Sequence, residues 1–564
     1  MARKQNHTVN LVLLIVAIIL LNVLGNFVYK RFDLTQDKRY TLSEAAKETI
    51  ADVDSPVVID VFLKGKFPAE FRRLQQETRQ LLEEFSDYNS NIRYKFIDPI
   101  ETEENREAIQ VQMRDFGLTA AQVEVQEGGK ISTELVYPWA LAYYNDKTVK
   151  IPLLKNQLGT TPEERVNNSI QNLEYAFADG FSKLAKPKRR KVAVLKGNGE
   201  LDDRFVADFF STLRDYYFIA PFTLDSAAVA PQKTLTQLNE FDLIVAASPT
   251  QPFSDQEKYI LDQYTMNGGS SLWLVDATEN RVDTLSGKTF AFGKDLNLND
   301  FFFKYGIRIN PNLVKDIYAA PIVLASGNER ESQYNRYPWF YNPLSSSANN
   351  HPVVTNIEAV KFEYASAIDT LPNNIRKTVL LSSSPITSII GLPAEINIDK
   401  EIPENLKVIN EGPDPSKFTA GETPLAVLLE GEFTSVFNNR VKPFSYPEDK
   451  TSSVSTKMLV VSDGDVIRNQ LDRGRPLELG FDKWTQSFYG NKEFLLNAVN
   501  YLLDDSGLIN IRTKEIAIPF LDPQKTSEKR SSWQIINLLL PLGLLAIFGF
   551  IFQYIRKRKY RQGS

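Results

Sequence analysis

The chain has 564 residues, 43% hydrophobic, 11% aromatic and 24% charged, with a formal net charge of −5, a composition that fits several globular domains and excludes a disordered or fibrous protein. It contains no cysteine and only two histidines, His7 and His351, which excludes disulfides, thiol nucleophiles, cysteine-ligated zinc or iron–sulfur clusters and any His-rich metal site. A Ser-His-Asp triad could draw only on His351, and the charge total carries no nucleic-acid footprint.

Residues 1–30 read as a short basic tail and a first membrane span. Val9 to Tyr29 (VNLVLLIVAIILLNVLGNFVY) carries no charge and, at about 21 residues, is long enough to cross roughly 30 Å of hydrocarbon. The run is too long for a signal peptide and no A-x-A-like site follows, so an uncleaved anchor is expected.

Residues 31–185 read as a thioredoxin-like α/β domain. Thr41-Leu42-Ser43-Glu44 fits a capping box, and Leu42, Ala46, Ile50 and Val53 follow at helical spacing until Pro56. Val57–Leu63 then reads as a buried strand, Phe71, Leu74, Leu81, Leu82 and Phe85 as one face of a helix, and Ile92, Tyr94 and Phe96 as an alternating strand. Strand, helix, strand is a βαβ unit. Further strands are predicted at 131–137, 140–144 and 149–153, with Asn145-Asp146 as a turn. Thr161-Pro162-Glu163-Glu164 opens the last helix with an N-cap, a proline at N1 and a capping glutamate. With no C-x-x-C, thiol redox work is excluded.

After a basic linker, Lys186-Pro187-Lys188-Arg189-Arg190-Lys191, residues 192–505 read as a larger open-sheet α/β domain. Val192–Leu195 leads into Gly197-Asn198-Gly199-Glu200, Leu243–Ala247 into Ser248-Pro249-Thr250, and Ser271–Val275 ends at Asp276. Ser254-Asp255-Gln256-Glu257 opens an intervening helix. An irregular insert rich in Pro, Asn and Ser is expected at about 308–447. The pattern resumes with Met458–Val461, Ser462-Asp463-Gly464-Asp465 and a final helix through Phe494 and Leu502.

A polar linker, 506–532, leads to a second span, 533–554 (WQIINLLLPLGLLAIFGFIFQY), bounded by Trp533 and Tyr554 as interfacial aromatics. Residues 555–564 form a basic tail. Arg3 and Lys4 at one end, and Arg556, Lys557, Arg558, Lys559 and Arg561 at the other, are seven bases in segments without acids; the rest holds 58 bases against 70 acids, a charge of −12. Two spans put both termini on one side, and the C-terminal bases make it the cytoplasm, with the body periplasmic. Lys30, Arg31, Lys38 and Arg39 sit on the far side of the first span and weigh against that orientation.

Ligands in open α/β sheets bind beyond the carboxyl ends of the strands. Candidate ligand residues are therefore Gly197, Asn198, Gly199, Glu200 and Asp276. GNGE lacks the G-x-G-x-x-G spacing of a pyrophosphate cradle, so a tight turn competes with that reading. A P-loop is excluded, because Gly129-Lys130 has Glu124 and Ile131 where glycine and Ser or Thr are needed. Asp463 and Asp465 could hold a divalent cation or simply cap a turn. Asn22, Asn537 and Pro541 are the candidate membrane contacts. Glu200 has no matching acid or nucleophile in the sequence, no cofactor is indicated, and a non-catalytic role is expected.

RFDLTQDKRYTLSEAAKETI, FPAEFRRLQQETRQLLEEF, VLKGNGELDD, SPTQPFSDQEKYILDQYTMNGG, MLVVSDGDVIRNQ and FYGNKEFLLNAVNYLLDD resemble the GldG family, the gliding-motility-associated ABC-transporter auxiliary proteins. The resemblance runs from about Arg31 to the C-terminal span. It implies an accessory, substrate-binding subunit beside a separate ATPase and a multi-span permease in the cytoplasmic membrane. It also implies a central domain similar to the class I glutamine amidotransferase fold, here without the cysteine that glutaminase chemistry needs. An envelope scaffold and a membrane-anchored hydrolase using Glu200, Asp463 or Asp465 are the alternatives.

Overall fold

A computed structural model describes residues 13–20, 41–65, 67–100, 106–127, 130–155, 160–279, 287–326, 333–346, 349–504, 507–513 and 523–561. The chain divides into two compact units, Met1–Glu515 and Ile516–Ser564.

In the first unit, helix α1 (Glu44–Ile50) starts from Ser43, whose side chain accepts from the Ala46 N–H. The expected box from Thr41 is replaced by a tertiary one. The Ser43 N–H donates to Glu174 Oε1 at 2.7 Å, so a glutamate 131 residues away does the work assigned to Glu44. Strand β1 (Val57–Val61), helix α2 (Ala69–Tyr88) and strand β2 (Ile92–Phe96) form the predicted parallel βαβ unit. Helix α3 (Arg106–Asp115) and a separate hairpin, β3 (Ala121–Glu127) with β4 (Lys130–Val136), precede β5 (Trp139–Tyr144) and β6 (Lys147–Pro152). The sheet order is β2-β1-β5-β6, with β5 antiparallel to both β1 and β6. Helix α4 (Pro162–Ala185) carries the predicted capping box at Thr161 and Glu164, and its Phe181 meets Phe85 of α2 edge to face at 5.0 Å.

The second sheet is built on β7 (Lys191–Lys196), β8 (Phe218–Thr223), β9 (Leu243–Ala247) and β10 (Ser270–Leu274), linked by α5 (Asp203–Leu213), α6 (Pro231–Leu238) and α7 (Asp255–Met266). It is completed by β11 (Arg376–Ser382), β12 (Pro424–Gly431) and β13 (Thr456–Val461), in the order β11-β12-β13-β10-β9-β7-β8. Five strands from β13 to β8 run parallel, and β12 is antiparallel to both its neighbours. β9 and β10 are buried along their whole length, as strands covered on both faces must be. Alternate residues divide between the faces. Val192 and Val194 pack with Val206 and Phe209 of α5 and with Phe494 of α8 (Asn491–Leu503), while Ala193 and Leu195 pack with Leu235 of α6 and Tyr259 of α7.

Two boundaries move. The stretch 308–447 is not wholly irregular, because β11 and β12 within it extend the main sheet. β12 (PLAVLLEG) is a short, continuously apolar run, and the Pro- and Asn-rich loops around it hid that signal. Nor is 506–532 a plain linker. Leu508–Thr513 is a 3₁₀ turn whose Ile509 and Ile511 are buried in the core of the first domain.

The second unit is helix α9 (Pro523–Arg561), which begins ten residues before Trp533. Its segment Glu528–Arg558 is long and apolar enough to cross a membrane by length and composition. Pro541 lies inside the helix. Of the first expected span, residues 13–20 are helical, and the rest, Asn22 included, lies outside the described residues.

Candidate functional site

The neighbouring strands β7, β9, β10 and β13 each end in a polar turn, and together these turns make one continuous seam. Gly197 and Gly199 adopt φ of +115° and +73°, values that favour glycine. The space above them is already filled. A Cβ on Gly199 would stand 2.1 Å from Thr250 Oγ1, and one on Gly197 would stand 2.7 Å from Asp225 Oδ1. Thr250 Oγ1 donates to the Gly199 carbonyl at 2.9 Å, and the N–H groups of Thr250 and Gln251 both donate to the Asn198 carbonyl at 2.9 Å. The turn is closed by the loop that follows β9 and is not an open cradle.

Glu200 folds back to accept the Asn198 N–H at 2.9 Å, and the Asn198 amide reaches Glu257 Oε2 at 3.4 Å. Glu200 Oε1 and Asn198 Oδ1 are buried without partners. Burial raises the Glu200 carboxyl above the usual glutamate range, as expected where the charged form is poorly solvated.

Farther along, Ser248, at φ +54°, donates to Asp276 Oδ2 at 2.9 Å, and the Gly464 N–H donates to Asp276 Oδ1 at 2.7 Å. Gly464 has no room for a side chain, since a Cβ would meet both Ser248 and Asp276. Asp463 is fully buried and spends its two oxygens on backbone donors, the N–H of Glu363 at 2.6 Å and of Asp465 at 2.7 Å. It caps the 3₁₀ turn Gly464–Ile467. Burial, then the nearby carboxylates Asp465 and Asp276, push the Asp463 carboxyl well up. Burial and Glu363 push Asp465 up to about 6, with Arg468 at 3.0 Å opposing the rise. Among the described residues no group of three or more His, Cys, Asp or Glu has an arrangement that could hold a metal ion.

The structure thus brings Asp276, Asp463 and Asp465 together through Gly464 and joins them to GNGE through the Ser248–Thr250 loop. That loop was legible as a polar strand end, but Glu363, which comes from within the insert, was not. His351 lies in a different place, half-buried against Tyr501 with ring centroids 4.6 Å apart and with Nδ1 accepting from the Val353 N–H at 3.4 Å. Burial lowers its pKa and favours the neutral ring. Asn537 and Pro541 lie on α9.

Two cavities lie elsewhere in the first unit. A cavity of about 530 Å³ lies where α1, α4, the basic linker and the end of α8 meet, lined by Asp179, Lys186, Arg189, Tyr216, Tyr217 and Ile509 among others. A second, of about 380 Å³, opens at the amino ends of the strands beside Asp242, Ser270 and Lys457. Neither is at the carboxyl ends of the strands, where ligands bind in open α/β sheets. The basic linker is tied down, with Arg190 on Asp242 Oδ1 at 2.6 Å and the Lys188 ammonium on the Arg214 carbonyl.

Residues 189–498 match the family model described as ABC-type uncharacterized transport system, an auxiliary domain, and residues 36–143 match a domain of unknown function, DUF7088. An uncharacterized protein of Borreliella burgdorferi is 20% identical over 568 aligned residues, covering 99% of this chain and 100% of its own length. Among solved structures, the mmIFT52 N-terminal domain aligns at 14% identity over 56% of this chain and 98% of its own, with a TM-score of 0.32.

Proposed function

Because this chain belongs to the family of ABC-type uncharacterized transport system auxiliary proteins, we propose that it is a non-catalytic, membrane-anchored accessory subunit of an ABC transporter of the GldG, gliding-motility-associated type. The single observation that carries this reading is the family match over residues 189–498, the span that builds the seven-stranded sheet domain. The closed carboxyl-end seam supports a scaffolding role over chemistry. In this reading α9 and the Val9–Tyr29 segment anchor the chain, and the body faces the periplasm. A separate ATPase and a multi-span permease are its partners. The first domain is read as thioredoxin-like, supported by its β2-β1-β5-β6 order, and the second as amidotransferase-like, supported by its parallel strands.

The test is affinity capture of the full-length chain from solubilised membranes, which should recover a P-loop ATPase and a permease. A reporter fused at Lys188 should be active on the periplasmic side alone. One observation favours a second reading, a membrane-anchored hydrolase: Glu200 keeps a buried oxygen without a partner and a raised carboxyl pKa. Replacing Glu200, Asp463 and Asp465 together by alanine, with the fold and transport intact, removes that reading.

A further inference from the structure

Arg512 stands where three parts of the first unit meet. Its guanidinium lies over the Tyr175 ring of α4 at 4.9 Å and reaches Asn172 Oδ1 at 3.5 Å, both in the first domain. The same group donates to the Thr355 carbonyl at 3.0 Å and to Glu493 Oε1 at 2.6 Å, both in the sheet domain. Its side chain is 2% exposed. Ile509 and Ile511, just before it, are buried in the first-domain core, so the segment grips one domain by apolar burial and the other by charge.

The grip is not a saturated one. Glu493 Oε1 also takes the Lys155 ammonium at 2.8 Å, so one carboxylate oxygen serves two buried cations. Both cations also turn to the carbonyl of Asn356, a residue held at φ +60°. Burial, with Arg512 nearby, pushes Lys155 down to about 8 despite the attraction of Glu493. Arg512 Nε is buried without a partner. The unmet Nε donor opposes the closed arrangement.

We propose that residues 507–513 form a strap that latches the first domain to the sheet domain through Arg512, and that displacing the strap releases the latch. Leu508 and Ile509 of the strap also line the cavity of about 530 Å³ at the same junction, so release opens that cavity as it frees the domains. The inference rests on the geometry of the first unit and stands whether or not the transporter assignment holds.

The chain has no cysteine, so paired spin labels can be introduced without background. With Asp87→Cys on α2 and Lys233→Cys on α6 in the full-length chain in lipid nanodiscs, electron–electron distances report the two domains directly. The original chain should give one narrow distribution. Arg512→Met, which keeps a long side chain over Tyr175, should broaden it and lower exchange protection at residues 507–513 by about tenfold. Glu493→Gln, which leaves the strap's own packing alone, should broaden it too, and Arg512→Lys should fall between. An unchanged distribution in Glu493→Gln overturns the proposal. So does loss of protection throughout β1 and β5 in that variant, which would make the cluster part of the first domain's folding core. If Arg512→Met does not fold, Glu493→Gln decides by the same readout.

Discussion

Gly199→Ala tests whether the glycine turn after β7 is packed shut or open to a ligand. The native φ of +73° costs an alanine about 1–2 kcal/mol. The new methyl would lie 2.1 Å from Thr250 Oγ1, so Thr250 must rotate. Rotation forfeits its hydrogen bond to the Gly199 carbonyl, about 1 kcal/mol, and forces a less favourable rotamer, about 0.5–1.5 kcal/mol. The sum is about 2.5–4.5 kcal/mol. Thr250→Ala alone loses only the hydrogen bond, about 1 kcal/mol. In the double variant the 2.1 Å contact is gone, so the hydrogen bond is lost once and no rotamer is forced, and the combined cost should fall short of the sum by about 1.5–2.5 kcal/mol. Native-state hydrogen exchange at β7 and β9 amides measures all three without assuming that the whole chain unfolds in one step. Additive costs, or a single-variant cost below about 0.5 kcal/mol, would refute the filled turn and restore GNGE as a cradle.

Further consequences follow from the buried charges. The Asp465 carboxyl is held at about 6 in the folded chain against 3.8 for the free side chain, so the folded state keeps a proton that the unfolded state has released. Stability from this group is therefore present below about pH 4 and lost as pH rises through 6, on the order of 1–2 kcal/mol after solvent screening, and Asp465→Asn should flatten that part of a pH–stability curve. Lys155 shows the opposite pattern. Its folded pKa of about 8 lies below 10.5, so the unfolded state binds more protons between those values. Stability should rise with pH across that window, and Lys155→Met should abolish the rise. Asp262 accepts from Tyr305 Oη at 2.9 Å, Val436 N–H at 2.8 Å and Ser435 Oγ at 2.6 Å while fully buried. Asp262→Ala strands three donors and should cost about 3–5 kcal/mol in exchange measured on α7; a cost under about 1 kcal/mol would mean the donors find other partners.

Much of the fold was legible because the relevant signals are local. Alternation and continuous apolar runs marked β1, β2, β7, β9 and β10, and Thr161 with Glu164 and Ser254 with Glu257 marked helix starts that the structure keeps. What escaped depends on distant partners. Glu174 caps α1 from another helix, β12 becomes a strand by pairing with β11 and β13, and Ile509 and Ile511 find a core more than 300 residues upstream. The site was half legible for the same reason. Asp276, Asp463 and Asp465 sat at strand ends that sequence could place, but only the folded chain shows that Gly464 joins them and that Glu363 closes the seam.

The accessory-subunit account is tested most directly by the native mass of the particle that carries this chain, purified from its own membranes in mild detergent. The account predicts one complex containing the chain, a nucleotide-hydrolysing subunit and a multi-span permease in fixed proportion. A particle containing this chain alone, or only copies of it, would contradict the account.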